Sequence, residues 1–106
     1  MADASYKVFD SESRSIVLKI SGGVLSLECE DCIMSHNDIN GSDGYDFSCI
    51  LSEEDSHKLF VRLRPIHGIN KPLEKILKEE FGHDEGSIQF RMRCSRAGIR
   101  CEFFSY

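Results

Sequence analysis

The segment Ile16-Val17-Leu18-Lys19-Ile20-Ser21-Gly22-Gly23-Val24-Leu25-Ser26-Leu27-Glu28-Cys29 decides the fold. Ile16, Leu18 and Ile20 alternate with Val17, Lys19 and Ser21, the period-two pattern of a half-buried strand. Gly22-Gly23 has the composition of a two-residue hairpin loop, whose backbone angles glycine adopts without strain. Leu25, Leu27 and Cys29 then share one face of a returning strand. Upstream, Tyr6, Val8 and Phe9 begin a further strand. Downstream, Tyr45-Asp46-Phe47-Ser48-Cys49-Ile50-Leu51 alternates again. Residues 35–44 are rich in Ser, Asn, Asp and Gly and read as an exposed loop.

At Ser52 the periodicity changes. Ser52-Glu53-Glu54-Asp55 reads as an N-cap followed by an acidic first turn. Leu59, Phe60 and Leu63, with Ile66 as a fourth, follow helical spacing, and the spacing predicts a helix from about 53 to 64 that Pro65 ends. A second helix begins near Pro72, carries Leu73, Ile76, Leu77 and Phe81 on one face, and stops at Gly82. Residues 87–97 fit two templates: Ile88, Phe90, Met92 and Cys94 alternate as in a strand, while Phe90, Cys94 and Ala97 match a helix face. Gly98 in the position of a helix C-cap favours the helix. In Ile99-Arg100-Cys101-Glu102-Phe103-Phe104-Ser105-Tyr106, alternation turns Ile99, Cys101 and Phe103 inward and predicts a last strand that rejoins the sheet. Strands followed by helices, rather than alternating with them, specify α+β: a mainly antiparallel sheet with two or three helices packed on one face. A length of 106 residues fits one domain spanning 1–106.

Charge is unevenly distributed. No Lys or Arg lies between Lys19 and Lys58, and the same stretch holds Glu28, Glu30, Asp31, Asp38, Asp43, Asp46, Glu53, Glu54 and Asp55. Residues 20–57 therefore carry −9 and the remainder +4, for a net charge of −5. Such a field steers basic partners and repels nucleic acid and anionic membranes. Glu53, Glu54 and Asp55 have a local explanation at a helix N-terminus. Glu28, Glu30, Asp31, Asp38, Asp43 and Asp46 have none, and with Tyr45 and Phe47 as adjacent aromatic anchors they are the candidate partner-binding residues. Arg91, Arg93, Arg96 and Arg100 form a basic cluster, expected to neutralise the acidic half or to stay solvated. No apolar run reaches the roughly 18–20 residues of a membrane span, and the polar start, Met1-Ala2-Asp3-Ala4-Ser5, lacks the pattern of a secretion signal. The expected compartment is the cytoplasm.

Five cysteines (Cys29, Cys32, Cys49, Cys94 and Cys101) without a secretion signal read as reduced thiols rather than a disulfide framework. Cys29 and Cys32 form a C-x-x-C, which offers half of a zinc site; His36, Cys49, Cys94 and Cys101 are the available further ligands, and none forms a second close pair. The carboxylates around the pair are expected to raise the thiol pKa values, against redox reactivity. The run Asn37–Gly44 superficially resembles a calcium loop, but it puts Asp43 where an EF-hand needs Gly and Cys49 where it needs Glu. The histidines His36, His57, His67 and His83 stand in no recognised nucleophile motif. The expectation is a non-enzymatic protein with no metal and no cofactor.

The order of elements, together with the segments Leu51-Ser52-Glu53-Glu54-Asp55 and Gly98-Ile99-Arg100-Cys101-Glu102-Phe103-Phe104-Ser105-Tyr106, resembles small bacterial immunity proteins of polymorphic toxin systems, including those of contact-dependent growth inhibition. The resemblance covers residues 14–106 in layout. It implies a small cytoplasmic protein that neutralises a basic nuclease toxin domain by covering its active site or a nearby surface. The alternatives are a regulatory or adaptor domain binding another basic protein, and a small zinc protein using Cys29 and Cys32.

Overall fold

Gly22 and Gly23 adopt φ of 58° and 78°, the left-handed angles of a type I′ turn, whose twist matches that of the strands it joins. The turn closes on the pair Ser21–Val24 and fixes the register of everything beside it. The structure, a computed structural model, describes residues 3–12, 14–32, 45–68 and 70–105. Among the described residues there are five strands, β1 (Ala4–Asp10), β2 (Ser15–Ser21), β3 (Val24–Cys32), β4 (Tyr45–Ile50) and β5 (Glu102–Ser105), and three helices, α1 (Glu53–His67), α2 (Leu73–Phe81) and α3 (Gly86–Arg96). The strands form one antiparallel sheet in the order β1-β2-β3-β4-β5. The fold is α+β, as the segregated strand and helix patterns predict. The ambiguous stretch is a helix, Gly86–Arg96, with Ala97 as its C-cap, and no helix among the described residues is long and apolar enough to cross a membrane.

Alternation gives the sheet two unlike faces. Ile16, Leu18, Ile20, Leu25, Leu27, Cys29, Phe47 and Cys49 point to one side and join Leu59, Phe60, Leu63, Ile76, Leu77, Phe81 and Phe90 from the helices in one apolar cluster. Each fully buried Leu, Ile or Phe contributes roughly 1.5–3 kcal/mol relative to exposure. Phe81 and Phe90 meet edge to face, ring centroids 5.4 Å apart, where α2 crosses α3. Gly82 ends α2 so close to β1 that a Cβ there would stand 2.6 Å from the Val8 carbonyl oxygen.

Each helix end has an identifiable cause. Ser52 caps α1 by accepting a hydrogen bond from the Asp55 N–H (3.1 Å), as its sequence context predicts. Ser56, one turn in, is fully buried: its Oγ donates to the Ser52 carbonyl (2.7 Å) and accepts from the Leu25 N–H (2.8 Å), so one hydroxyl fastens α1 to β3. Pro65 does not end α1. The missing N–H removes one bond in the last turn, the helix runs to His67, and the Gly68 N–H bonds the Arg64 carbonyl (2.7 Å). That final turn directs His67 toward α2 and leaves Ile66 exposed, where helical spacing predicts an inward residue. α3 closes with a Schellman motif: the Ile99 N–H reaches the Cys94 carbonyl (2.8 Å), the Gly98 N–H reaches that of Ser95 (3.2 Å), and Gly98 sits at φ 69°. β5 then rejoins the sheet beside β4. Phe103 faces the helix side as predicted and stacks at 5.2 Å on Phe47, but it stays 40% exposed because β5 is the sheet edge.

The three helices are tied together by one carboxylate. Glu80 of α2 is buried, with Oε2 2.6 Å from His67 Nε2 of α1 and Oε1 accepting from Gln89 Nε2 (2.7 Å) and Arg93 Nε of α3. His67 Nδ1 lies 3.4 Å from Glu79, which also pairs with Lys71. Burial by itself pushes the Glu80 carboxyl up; the hydrogen bonds from Arg93, Gln89 and His67 outweigh it and hold it below the ordinary glutamate range.

Two predictions follow from these contacts. Ser56→Ala leaves the buried Leu25 N–H without its acceptor and should cost ~1–3 kcal/mol in urea unfolding; an unchanged midpoint would remove the helix-to-strand fastening. Because Glu80 is depressed in the folded state, its contribution is complete above the unfolded value of about 4.5 and is lost as pH falls through the folded value. Glu80→Gln should therefore be less stable than the wild type by about 3 kcal/mol at pH near 7, and the gap should narrow below about pH 4.5. A gap that does not vary with pH would refute the assignment.

Candidate partner-binding face

Among the described residues, the helices leave the opposite side of the sheet uncovered, although Ser48 is buried there. Register places Lys7, Val17, Glu28, Ser48 and Phe104 in one row across the strands, and Ser5, Lys19, Ser26, Ile50 and Glu102 in the next. Glu30 follows Glu28 along the face, opposite Ser15. Glu28, Glu30, Asp46 and Glu102 are exposed, Val17 and Ile50 half-buried, and Phe104 is 45% exposed. The result is an apolar pair, Ile50 and Phe104, near one edge and Val17 apart from it on β2, set among carboxylates. Lys19 meets Glu28 at 3.0 Å and Lys7 meets Asp10 at 3.9 Å, so the negative field is trimmed rather than cancelled.

Asp31 and Asp46 have a structural task as well. Between Cys29 and Cys32 the β3–β4 ladder slips by one residue. Asp31 takes φ 55°, a left-handed angle that Asp tolerates better than most residues. Asp46 Oδ1 accepts the Asp31 N–H (2.9 Å), and Arg14 Nε donates to the Asp31 carbonyl (2.8 Å). The bulge resets the alternation, so Cys29 and Cys32, three apart, both point into the core, at 3% and 0% exposure. Cys32 Sγ approaches the Glu30 and Ser15 carbonyls at 3.5 and 3.6 Å. The hydrogen bond from Cys29, helped by Arg14, holds Cys32 low; the same bond and burial push Cys29 up. A uniform rise of both thiols, as the surrounding carboxylates alone predict, is not what the pair shows. Among the described residues, no group of three or more His, Cys, Asp or Glu is arranged to hold a metal ion. His36 and the run Asn37–Gly44 lie outside the described residues.

Of the sequence candidates, Glu28, Glu30, Asp31 and Asp46 come together at one end of the open face. Tyr45 starts β4 opposite Cys32, with its side chain outside the described residues, as are Asp38 and Asp43. Phe47, expected as an aromatic anchor, is 1% exposed and belongs to the core. The exposed aromatic on the open face is Phe104, which shares that face with Val17, Ile50 and Glu102. Outward apolar positions in β2 and β4 were the available signal, but the pairing of β5 with β4 spans half the chain and leaves no local trace. Within the arginine cluster, Arg93 engages Glu80, which lies outside the acidic stretch, Arg91 lies over the Phe103 ring at 5.8 Å, and Arg91, Arg96 and Arg100 are exposed, as the solvated alternative expects. Separately, a cleft of about 910 Å³ opens between the Gly22-Gly23 turn and the start of α1, lined by Ser52, Glu53, Glu54, His57 and Phe60.

Asp46→Ala should cost ~1 kcal/mol by freeing the Asp31 N–H, whereas Asp31→Gly relieves the left-handed angle and should be neutral or stabilising by up to ~1 kcal/mol. Thermal unfolding of both variants checks this, and the reverse order would contradict the bulge account.

No protein-family model, curated protein or solved structure matches the chain.

Proposed function

We propose that this chain is a non-enzymatic binding protein that neutralises a basic nuclease toxin domain, in the manner of the immunity proteins it resembles. The observation that supports this reading is the open sheet face, where Val17, Ile50 and Phe104 lie among Glu28, Glu30, Asp46 and Glu102. A nuclease must hold a polyanion, so its substrate cleft is basic. Carboxylates spaced along a strand offer negative charge where that cleft receives phosphates. They raise the rate of encounter and orient the partner before contact. Residence time comes from the few groups that lose water on docking, and Phe104, diagonal to Ile50 on the adjacent strand, is the side chain suited to it. Inhibition by this route is stoichiometric. A toxin acting inside the cell would be met in the cytoplasm, a compartment consistent with five free thiols.

The test is co-purification with the C-terminal domain encoded by the gene immediately upstream, across a salt series, with nuclease activity read on the mixture. Glu28→Lys with Glu30→Lys should slow association about tenfold or more at low salt and flatten its salt dependence, while Phe104→Ala should mainly speed dissociation. A complex formed equally well by all three proteins would remove this face from the reading. Absence of both binding and protection would remove the toxin partner, and a basic regulatory partner would take its place.

A further inference from the structure

Three thiols converge on the helix side of the sheet, away from the open face. Cys94 stands in the last turn of α3, Cys101 just before β5 and Cys49 in the middle of β4. Cys101 Sγ lies 4.0 Å from Cys94 Sγ, and Cys49 also hydrogen-bonds it. Cys94 and Cys49 are 2% and 0% exposed, while Cys101 keeps partial access to solvent. An oxidant therefore reaches Cys101 first. The hydrogen bonds it shares with the Cys49 and Cys94 thiols, together with the nearby Arg91 guanidinium, favour its thiolate.

We propose that Cys101 and Cys94 are a peroxide-responsive pair that closes an intramolecular disulfide between α3 and the segment entering β5. In the first step the Cys101 sulfur attacks one oxygen of hydrogen peroxide. The S–O bond forms, the O–O bond breaks, and the departing hydroxide leaves as water after taking a proton. In the second step Cys94 loses its proton and attacks the Cys101 sulfenic sulfur; the S–S bond forms and the S–O bond breaks, releasing a second water. Two thiols are oxidised by two electrons in all, and one peroxide is reduced to two waters. The sulfurs must close from 4.0 Å to the ~2.05 Å of a bond. The Schellman turn at Gly98 has already folded the chain after α3 back on itself, so the two sulfurs start within reach of each other. Cys49 is the poorer resolving partner, because its backbone is fixed between Leu27 and Phe103 in the ladder.

The experiment treats the reduced protein with a few equivalents of hydrogen peroxide, blocks free thiols, and digests it with trypsin without reduction. Cleavage after Arg93, Arg96 and Arg100 separates Cys94 from Cys101, so the bond appears as residues 94–96 joined to residues 101–106. That cross-linked pair is expected as the main product. Cys94→Ser should instead leave Cys101 as a sulfenic acid that dimedone captures, and Cys101→Ser should slow peroxide consumption at least about tenfold, since the reactive thiolate is gone. The wild-type map needs no variant to fold. A bond from Cys101 to Cys49, oxidation confined to Cys29 and Cys32, or five unmodified thiols would each overturn the proposal.

Discussion

The Glu80 carboxylate is the contact on which the helical layer depends. It is removed from water and surrounded by groups from the end of α1 and from the middle of α3, while its own helix, α2, packs against β1. Burying a carboxylate costs several kcal/mol, and the cost is offset only when each oxygen is well met. Here Oε1 takes Gln89 and Arg93, and Oε2 takes His67. An apolar residue of similar size would fill the space, but it would not specify which turn of α1 meets which turn of α3. The continuation of α1 past Pro65 makes sense in this light: a helix stopped at residue 64 would not carry His67 to the carboxylate.

A second constraint acts on the sheet. With helices on one side, every inward position must be apolar and every bulge must preserve that. The bulge at Asp31 does so with a left-handed residue, one carboxylate acceptor and one arginine donor. It explains why a C-x-x-C on a strand, which simple alternation would divide between the two faces, is wholly internal. It also gives Asp46 a structural duty without removing it from the open face. The bulge and the open face thus share residues at this corner, and a change there is read by both.

The open face and the thiol cluster lie on opposite sides of β4 and β5. Phe104 and Glu102 point to the bare side, while Phe103 and the Cys101 segment lie toward α3. β5 is a short edge strand held by β4 alone, so its placement decides both features. Its register with β4 sets Phe104 near Ile50 on the open face, and the turn at Gly98 delivers Cys101 to Cys94.

The local sequence determined the elements themselves: the Gly22-Gly23 hairpin, the inward faces of β2 and β3, the Ser52 cap, and the glycine stops of α2 and α3. Each rests on periodicity or on one residue's backbone preference, which neighbours in sequence express. The uneven charge was equally plain, and it pointed to Glu28, Glu30, Asp31, Asp38, Asp43 and Asp46. What only the tertiary structure decided were the contacts between distant segments. Phe47 looked like a surface anchor until the pairing of β4 with β3 and β5 buried it, and Phe104 became the exposed aromatic. Nothing near Glu80 in the sequence marks it as buried; α3 brings Arg93 and Gln89 to one of its oxygens from thirteen and nine residues away. Alternation and capping act over a few residues, whereas the burial of a charge is set by what arrives from elsewhere in the chain.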